Sequence, residues 1–248
     1  MELPSSLRVI SNEAFNQSSC QTLTFAPDSQ LQKIGIGAFR FCSDLVSLEV
    51  PSSVKEIGKC AFERTGLETV CFGLNSKLVK FPVRLFFCCS KLTSIEIPAS
   101  VEEIEEFAFE KSGLVSVTFA PDSCLKILKK SVFNGCLNLS CVEIPPLVEE
   151  IGEKAFANSN VKNVVFSSDS ALRKIGEKAF MKSDLEMICI PSSVESIGDD
   201  AFEGCGQLTS VLFGSDSKLK RVNPNALHGC RMVQMIVRSK GDACNSDS

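Results

Sequence analysis

Three linked apolar positions recur along this chain at a nearly constant period, and that recurrence constrains the fold more than any other feature. Alignment on a repeated Ala-Phe pair sets one reference residue per unit: Phe15, Phe39, Phe62, Phe86, Phe109, Phe133, Phe156, Phe180, Phe202 and Leu227. Successive references lie 22 to 25 residues apart. Five residues before each stands Ile10, Ile34, Ile57, Phe81, Ile104, Leu128, Ile151, Ile175, Ile197 or Val222, and three before that a Leu or Val, as at Leu31, Val54 and Val101. A period of this length, held through ten units, is the signature of a solenoid whose repeats bury their apolar faces only against one another.

Within each unit a segment such as Leu45–Val50, Leu92–Ile97 or Leu208–Phe213 places apolar residues at its fourth and sixth positions around a variable fifth. That period of two is the pattern of a strand. The VxxIGxxAF passage predicts a short helical or turn-like return, with Val, Ile, Ala and Phe inward and charged residues in the gaps. One strand and one return per unit imply parallel stacking. Two unit types alternate. In one a Pro follows the strand (Pro4, Pro51, Pro98, Pro145, Pro191), where a missing N–H is tolerated. In the other a loop carries Asp28, Asn75, Asp122, Asp169 or Asp216. Ten repeats thus form five tandem pairs over residues 4–237, and the polar stretch 238–248 is expected to be a flexible tail.

Charge follows the alternation. The chain's 26 basic and 30 acidic residues leave a net charge of −4, but the Pro-type repeats total −9 and the loop-type repeats +6. Neighbouring repeats are therefore expected to be electrostatically complementary, which disfavours misregistered stacking more than it adds stability. A balance this mild does not point to nucleic acid as the partner.

The pattern LxxLxLPxxVxxIGxxAF, present as Leu45, Leu48, Val50, Pro51, Val54, Ile57, Gly58, Ala61 and Phe62, resembles the repeats of BspA-like leucine-rich-repeat surface antigens. That family occurs in oral bacteria and is expanded in parasitic protists. The resemblance covers residues 4–237. It implies an α/β leucine-rich-repeat solenoid, with a curved parallel sheet on the concave face and short helical or turn segments on the convex face. It also implies a protein-binding, adhesin-like role at the cell surface or after secretion. The opening MELPSSLRVI lacks the pattern of a signal peptide, and no stretch has the length of a membrane-spanning helix or an anchor, so a cytoplasmic location is the alternative.

Enzymatic chemistry finds little support in the sequence. His228 is the one histidine, and it lies in the most degraded repeat. Thirteen cysteines include no CxxC pair, so neither a metal site nor a redox motif is expected. Cys89 aligns with Cys42, Cys136 and Cys230 as a turn-packing residue, and the thiols are expected to be mostly reduced. No cofactor is called for. The triplets at Asn16 and Asn138 fit a glycosylation sequon only if the chain enters a secretory pathway.

Function is expected on the outward strand positions instead. Read along the array, the fifth position is Thr24, Glu49, Cys71, Glu96, Thr118, Glu143, Val165, Cys189, Leu212 and Ile236. The acids Glu49, Glu96 and Glu143 alternate in the first part, where a hydroxyl-rich column beside them suits a basic partner. Val165, Cys189, Leu212 and Ile236, with Met187 alongside, predict an apolar patch for a partner or a second copy. Simple β-propensity, or cover by the tail, explains the same residues without a partner. The solenoid ends offer another route to a homo-oligomer, since stacked repeats need caps. The rival to a binding module is a self-associating structural or intracellular scaffold array.

Overall fold

A computed structural model describes residues 1–223, 225–230 and 233–237. They form a parallel β-solenoid with two strand columns. The first holds four-residue strands such as Ser47–Val50, Thr69–Phe72, Ser94–Ile97 and Ser116–Phe119, in which outward and buried residues alternate as expected. Register holds from repeat to repeat: Glu49 lies beside Cys71, Glu96 beside Thr118, Glu143 beside Val165, and Cys189 beside Leu212, which in turn meets Ile236.

The second column has no counterpart in the sequence reading. Two-residue strands such as Lys80–Phe81, Glu103–Ile104 and Glu150–Ile151 stack in a seven-stranded sheet, and Val9–Ile10, Lys33–Ile34 and Glu56–Ile57 make a smaller one. Each pairs the inward Ile, Leu or Phe of the repeat with its equivalent. A two-residue strand is too short to show a period.

The helical return is the main correction. Among the described residues there is no helix, and the passage around each reference Phe is a run of stacked turns. Alternate amides divide their donors. In the second repeat, Ala38, Arg40 and Cys42 donate to carbonyls three residues back, whereas Gly37, Phe39 and Phe41 donate to Lys59, Ala61 and Glu63 of the next repeat at 2.8–2.9 Å. Helix would require every one of these amides to bond four residues back. The division needs left-handed backbone two residues before and two after the Phe, and Glu13, Gln17, Phe41, Arg64, Lys154 and Asn158 all take it, with φ of 52–62°. Gly occupies it at Gly37, Gly135, Gly204 and Gly229. Non-glycine residues pay about 1 kcal/mol or more for this geometry, and a hydrogen-bonded ladder running the length of the array offsets it.

The core is a column of rings. From Phe15 to Phe202 each reference Phe stacks on the next with centroids 5.0–5.6 Å apart and planes within 16°. Beside it runs a column of small polar groups three residues after each Phe. Cys42, Cys89, Cys136, Cys205 and Cys230 donate their thiols to the reference carbonyl of the preceding repeat. Thr65, Ser112 and Ser183 at the intervening positions lie 3.3–3.4 Å from the neighbouring sulfur. The turn-packing role expected for Cys89 and its equivalents is what the geometry shows. Turns bearing a Cys have six residues from Phe to the next strand Leu, as from Phe39 to Leu45, and those bearing Ser or Thr have five, as from Phe62 to Leu67. Gly66 closes one of the shorter turns, where a Cβ would stand 1.9 Å from the Ser43 carbonyl oxygen.

Charge complementarity takes a consistent form. Lys33–Glu56, Arg40–Glu63, Lys80–Glu105, Lys126–Glu102, Lys129–Glu103, Lys130–Glu153, Lys174–Glu150, Lys178–Asp200 and Lys220–Glu195 each join a cation of a loop-type repeat to an anion of a Pro-type neighbour. Lys162–Glu186 runs the other way. The last repeat is more open than its pattern predicts, with Val222 and all of Gln234–Val237 exposed. Stretch 238–248, the expected tail, lies outside the described residues.

Candidate protein-interaction site

The long strands display their fifth-position side chains as one row. Parallel pairing sets neighbours about 4.8 Å apart, so alternate positions are about 10 Å apart. Glu49, Glu96 and Glu143 are exposed, each separated from the next acid by one strand bearing Cys71 or Thr118. The same strands carry exposed Ser47, Thr69, Ser94 and Ser116 two residues earlier. Hydroxyl and carboxylate groups therefore share one face, and acceptors outnumber cations on it.

Two hollows of about 570 and 730 Å³ open on this face in the amino-terminal half. Thr69, Cys71 and Leu74 line both; Glu96, Ser94 and Thr118 line the first, Glu49, Ser47 and Thr24 the second. Leu74 is 90% exposed. It stands on the loop after Thr69–Phe72, where equivalent loops carry Pro27, Pro121, Ser168 or Ser215. The left-handed φ of 60° at Asn75 helps turn the chain there. Sequence reading missed Leu74; its departure from the loop pattern was the available signal.

The apolar patch is assembled only in part. Met187 is 38% and Ile236 41% exposed, while Val165 and Cys189 are half-buried. Leu212 is a correction: expected to stand outward, it is only 4% exposed. Cys189 and Ile236 flank it in register, and side chains at strand spacing cover one another when they are apolar. His228 is exposed on the turn edge of the last repeat, far in register from the acids.

Burial removes reactivity from the core thiols. It pushes Cys89 and Cys205 up to about 11 and Cys136 to about 12, against the smaller opposing effect of the hydroxyls they contact. Such groups are protonated at neutral pH and poor nucleophiles. Among the described residues no cluster of His, Cys, Asp and Glu has the geometry to hold a metal ion, and no helix is long and apolar enough to cross a membrane.

A parallel array of short repeats that presents a broad outward row of polar side chains defines a leucine-rich-repeat module of the protein-interaction class. The chain belongs to the BspA type leucine rich repeat family, which matches in six copies over residues 8–129, 72–170 and 126–243. Its fold is similar to that of the pneumococcal vaccine antigen PcpA, at 22% identity and a TM-score of 0.56 over 96% of this chain and 68% of that one. A leucine-rich repeat protein from Bacteroides ovatus is 26% identical, with a TM-score of 0.54 over 92% of this chain and 70% of that one. One from Eubacterium ventriosum is 17% identical, with a TM-score of 0.51 over 96% and 80%. No curated protein sequence matches the chain.

Proposed function

We propose that this chain is a non-enzymatic binding module, adhesin-like in kind, that recognises another protein through the amino-terminal half of its long-strand face. The observation that carries the reading is the pair of adjoining hollows containing Glu49 and Glu96 with the exposed Leu74 between them. An exposed Leu beside carboxylates offers an apolar contact with a polar rim, as the centre and rim of an interface do. Carboxylates in hollows whose lining includes no Lys or Arg favour a basic partner, and their attraction should weaken as salt rises.

The test is a comparison of captured proteins, using the wild-type chain and the Leu74→Asp and Glu49→Lys/Glu96→Lys variants as baits. A specific partner should be retained by wild type and lose affinity about tenfold or more in each variant, a loss of about 1.4 kcal/mol. The same partners held equally by all three baits would refute it.

Self-association is the second reading, favoured by the exposure of Met187, Ile236 and the strand Gln234–Val237. Analytical ultracentrifugation decides it. Concentration-dependent assembly that Met187→Glu and Ile236→Glu abolish would support a self-assembling array, and a monomer at all concentrations would dismiss it.

A further inference from the structure

Fifteen of the eighteen phenylalanines occupy the ring column, the strand ends or the buried Phe81 position. The other three, Phe41, Phe87 and Phe107, are half-buried on the turn edge of the second to fifth repeats. Each lies under an arginine. The Arg40 and Arg64 guanidinium carbons stand 4.7 and 5.7 Å from the centroid of Phe41, and that of Arg84 stands 4.6 and 5.8 Å from Phe87 and Phe107. The stacked turns hold the group together, since the Phe41 amide donates to the Glu63 carbonyl and the Arg64 amide to the Phe87 carbonyl, both at 2.9 Å.

Two features set this face apart from the other turns. Phe41 and Phe107 take the left-handed conformation with φ of 62°, at positions where other repeats carry Gly, Cys or a polar residue, as at Gly37, Cys60, Lys154 and Asn158. Bulky side chains are outliers there, and burial in the core does not explain them. Two of the three arginines carry no ion pair among the described residues, as Lys111 and Lys182 at the Arg64-equivalent position of other turns do not, and what distinguishes them is the ring beneath each. Lys130 meets Glu153 and Lys178 meets Asp200, but among the described residues Arg64 and Arg84 join no ion pair, while Arg40 is held by the buried Glu63 at 2.9 Å. A guanidinium stacked on a ring is oriented without using its N–H groups, so its fork remains available to a carboxylate.

We propose that this arginine-phenylalanine face docks an acidic segment of another protein, whose carboxylates engage Arg64 and Arg84 and whose apolar side chains lie on Phe87 and Phe107. Nucleic acid fits less well. Glu106 and Glu110 border the face, and a continuous run of phosphates would meet them, whereas a peptide places its few carboxylates selectively. This surface is separate from the long-strand face, and its test does not depend on that reading.

The probe is a fluorescein-labelled ten-residue peptide alternating Glu and Leu, titrated by anisotropy against the full chain at low ionic strength. Its Lys-for-Glu counterpart and a ten-base oligothymidylate serve as comparators. The acidic peptide should bind best, and Arg64→Gln/Arg84→Gln should weaken it about tenfold while Arg173→Gln, which removes an exposed cation from a distant repeat, leaves it unchanged. No binding, equal affinity for the double variant, or preference for the oligothymidylate would overturn the proposal. Chemical-shift mapping on the wild-type chain covers the case in which the double variant fails to fold. Perturbations centred on Phe87 and Phe107 support the site, and perturbations centred elsewhere overturn it.

Discussion

Phe133→Ala removes one ring from the middle of the stacked column. Phe133 is fully buried and lies between Phe109 at 5.4 Å and Phe156 at 5.3 Å, both within 16° of parallel. Truncating a buried Phe to Ala costs about 3–5 kcal/mol, and complete burial between two stacked rings places this site near the upper end. Phe15 has one stacked neighbour, at 5.0 Å, and is only half-buried. Its replacement by Ala should cost about 2 kcal/mol, in line with partial burial of one ring. The larger consequence is architectural. Each repeat contacts only its neighbours, so a central gap weakens both interfaces and should split one cooperative urea transition into two, with a lower apparent slope. Phe133→Leu, which places there the residue found naturally at Leu227, should cost about 1–1.5 kcal/mol and keep a single transition. The assay is urea unfolding followed by circular dichroism for all three variants. A loss below about 2 kcal/mol for Phe133→Ala, or equal losses at Phe133 and Phe15, would refute the ring column as the main axis of stability.

Gly66→Ala should destabilise by about 1–3 kcal/mol in thermal melts, because the new methyl meets a backbone carbonyl at 1.9 Å; Gly206→Ala, with nothing within 4 Å, should be close to neutral. Lys182→Gly should raise the melting temperature slightly, by a net of about 0.5 kcal/mol, since relief of its left-handed φ of 54° exceeds the entropy Gly adds to the unfolded chain. Hydrogen bonds from Lys130 and then Lys154 hold Glu153 below its ordinary carboxylate range. A carboxylate with a depressed folded value stabilises above its unfolded pKa of about 4.3 and loses that contribution as pH falls through the folded value. Stability should thus drop as pH falls below about 4, and Glu153→Gln should flatten that part of a denaturant-midpoint profile. In the folded chain at mildly alkaline pH, exposed Cys71, Cys124 and Cys141 should react with a thiol reagent within minutes, whereas Cys89 and Cys136 should react only on unfolding, as read by mass spectrometry of the labelled peptides.

The ring column, the inward Ile and Val positions and the strand alternation were legible because a period of 22 to 25 residues repeats them ten times. The charge alternation was legible for the same reason, and the ion pairs follow its sign in nine of the ten cross-repeat cases described. Glu49, Glu96 and Glu143 were placed correctly on the outward row. Leu212 was not, because a period of two assigns a face and says nothing of what else covers it. Leu74 and the group around Phe41 were missed as sites because they break the repeat, and attention to what recurs passes over what does not.

By itself the sequence determined a solenoid, its repeat boundaries and its core, since apolar periodicity can be satisfied only by stacking like on like. The tertiary structure decided that the return is a turn ladder. The choice between helix and turn depends on whether the amides around Phe39 bond within the repeat or to Lys59, Ala61 and Glu63 of the next, and those acceptors exist only once the neighbouring repeat is in place. It also decided which exposed residues meet. Arg64, Arg84, Phe87 and Phe107 are spread over 44 residues of chain and form one face only because successive turns stack about 4.8 Å apart.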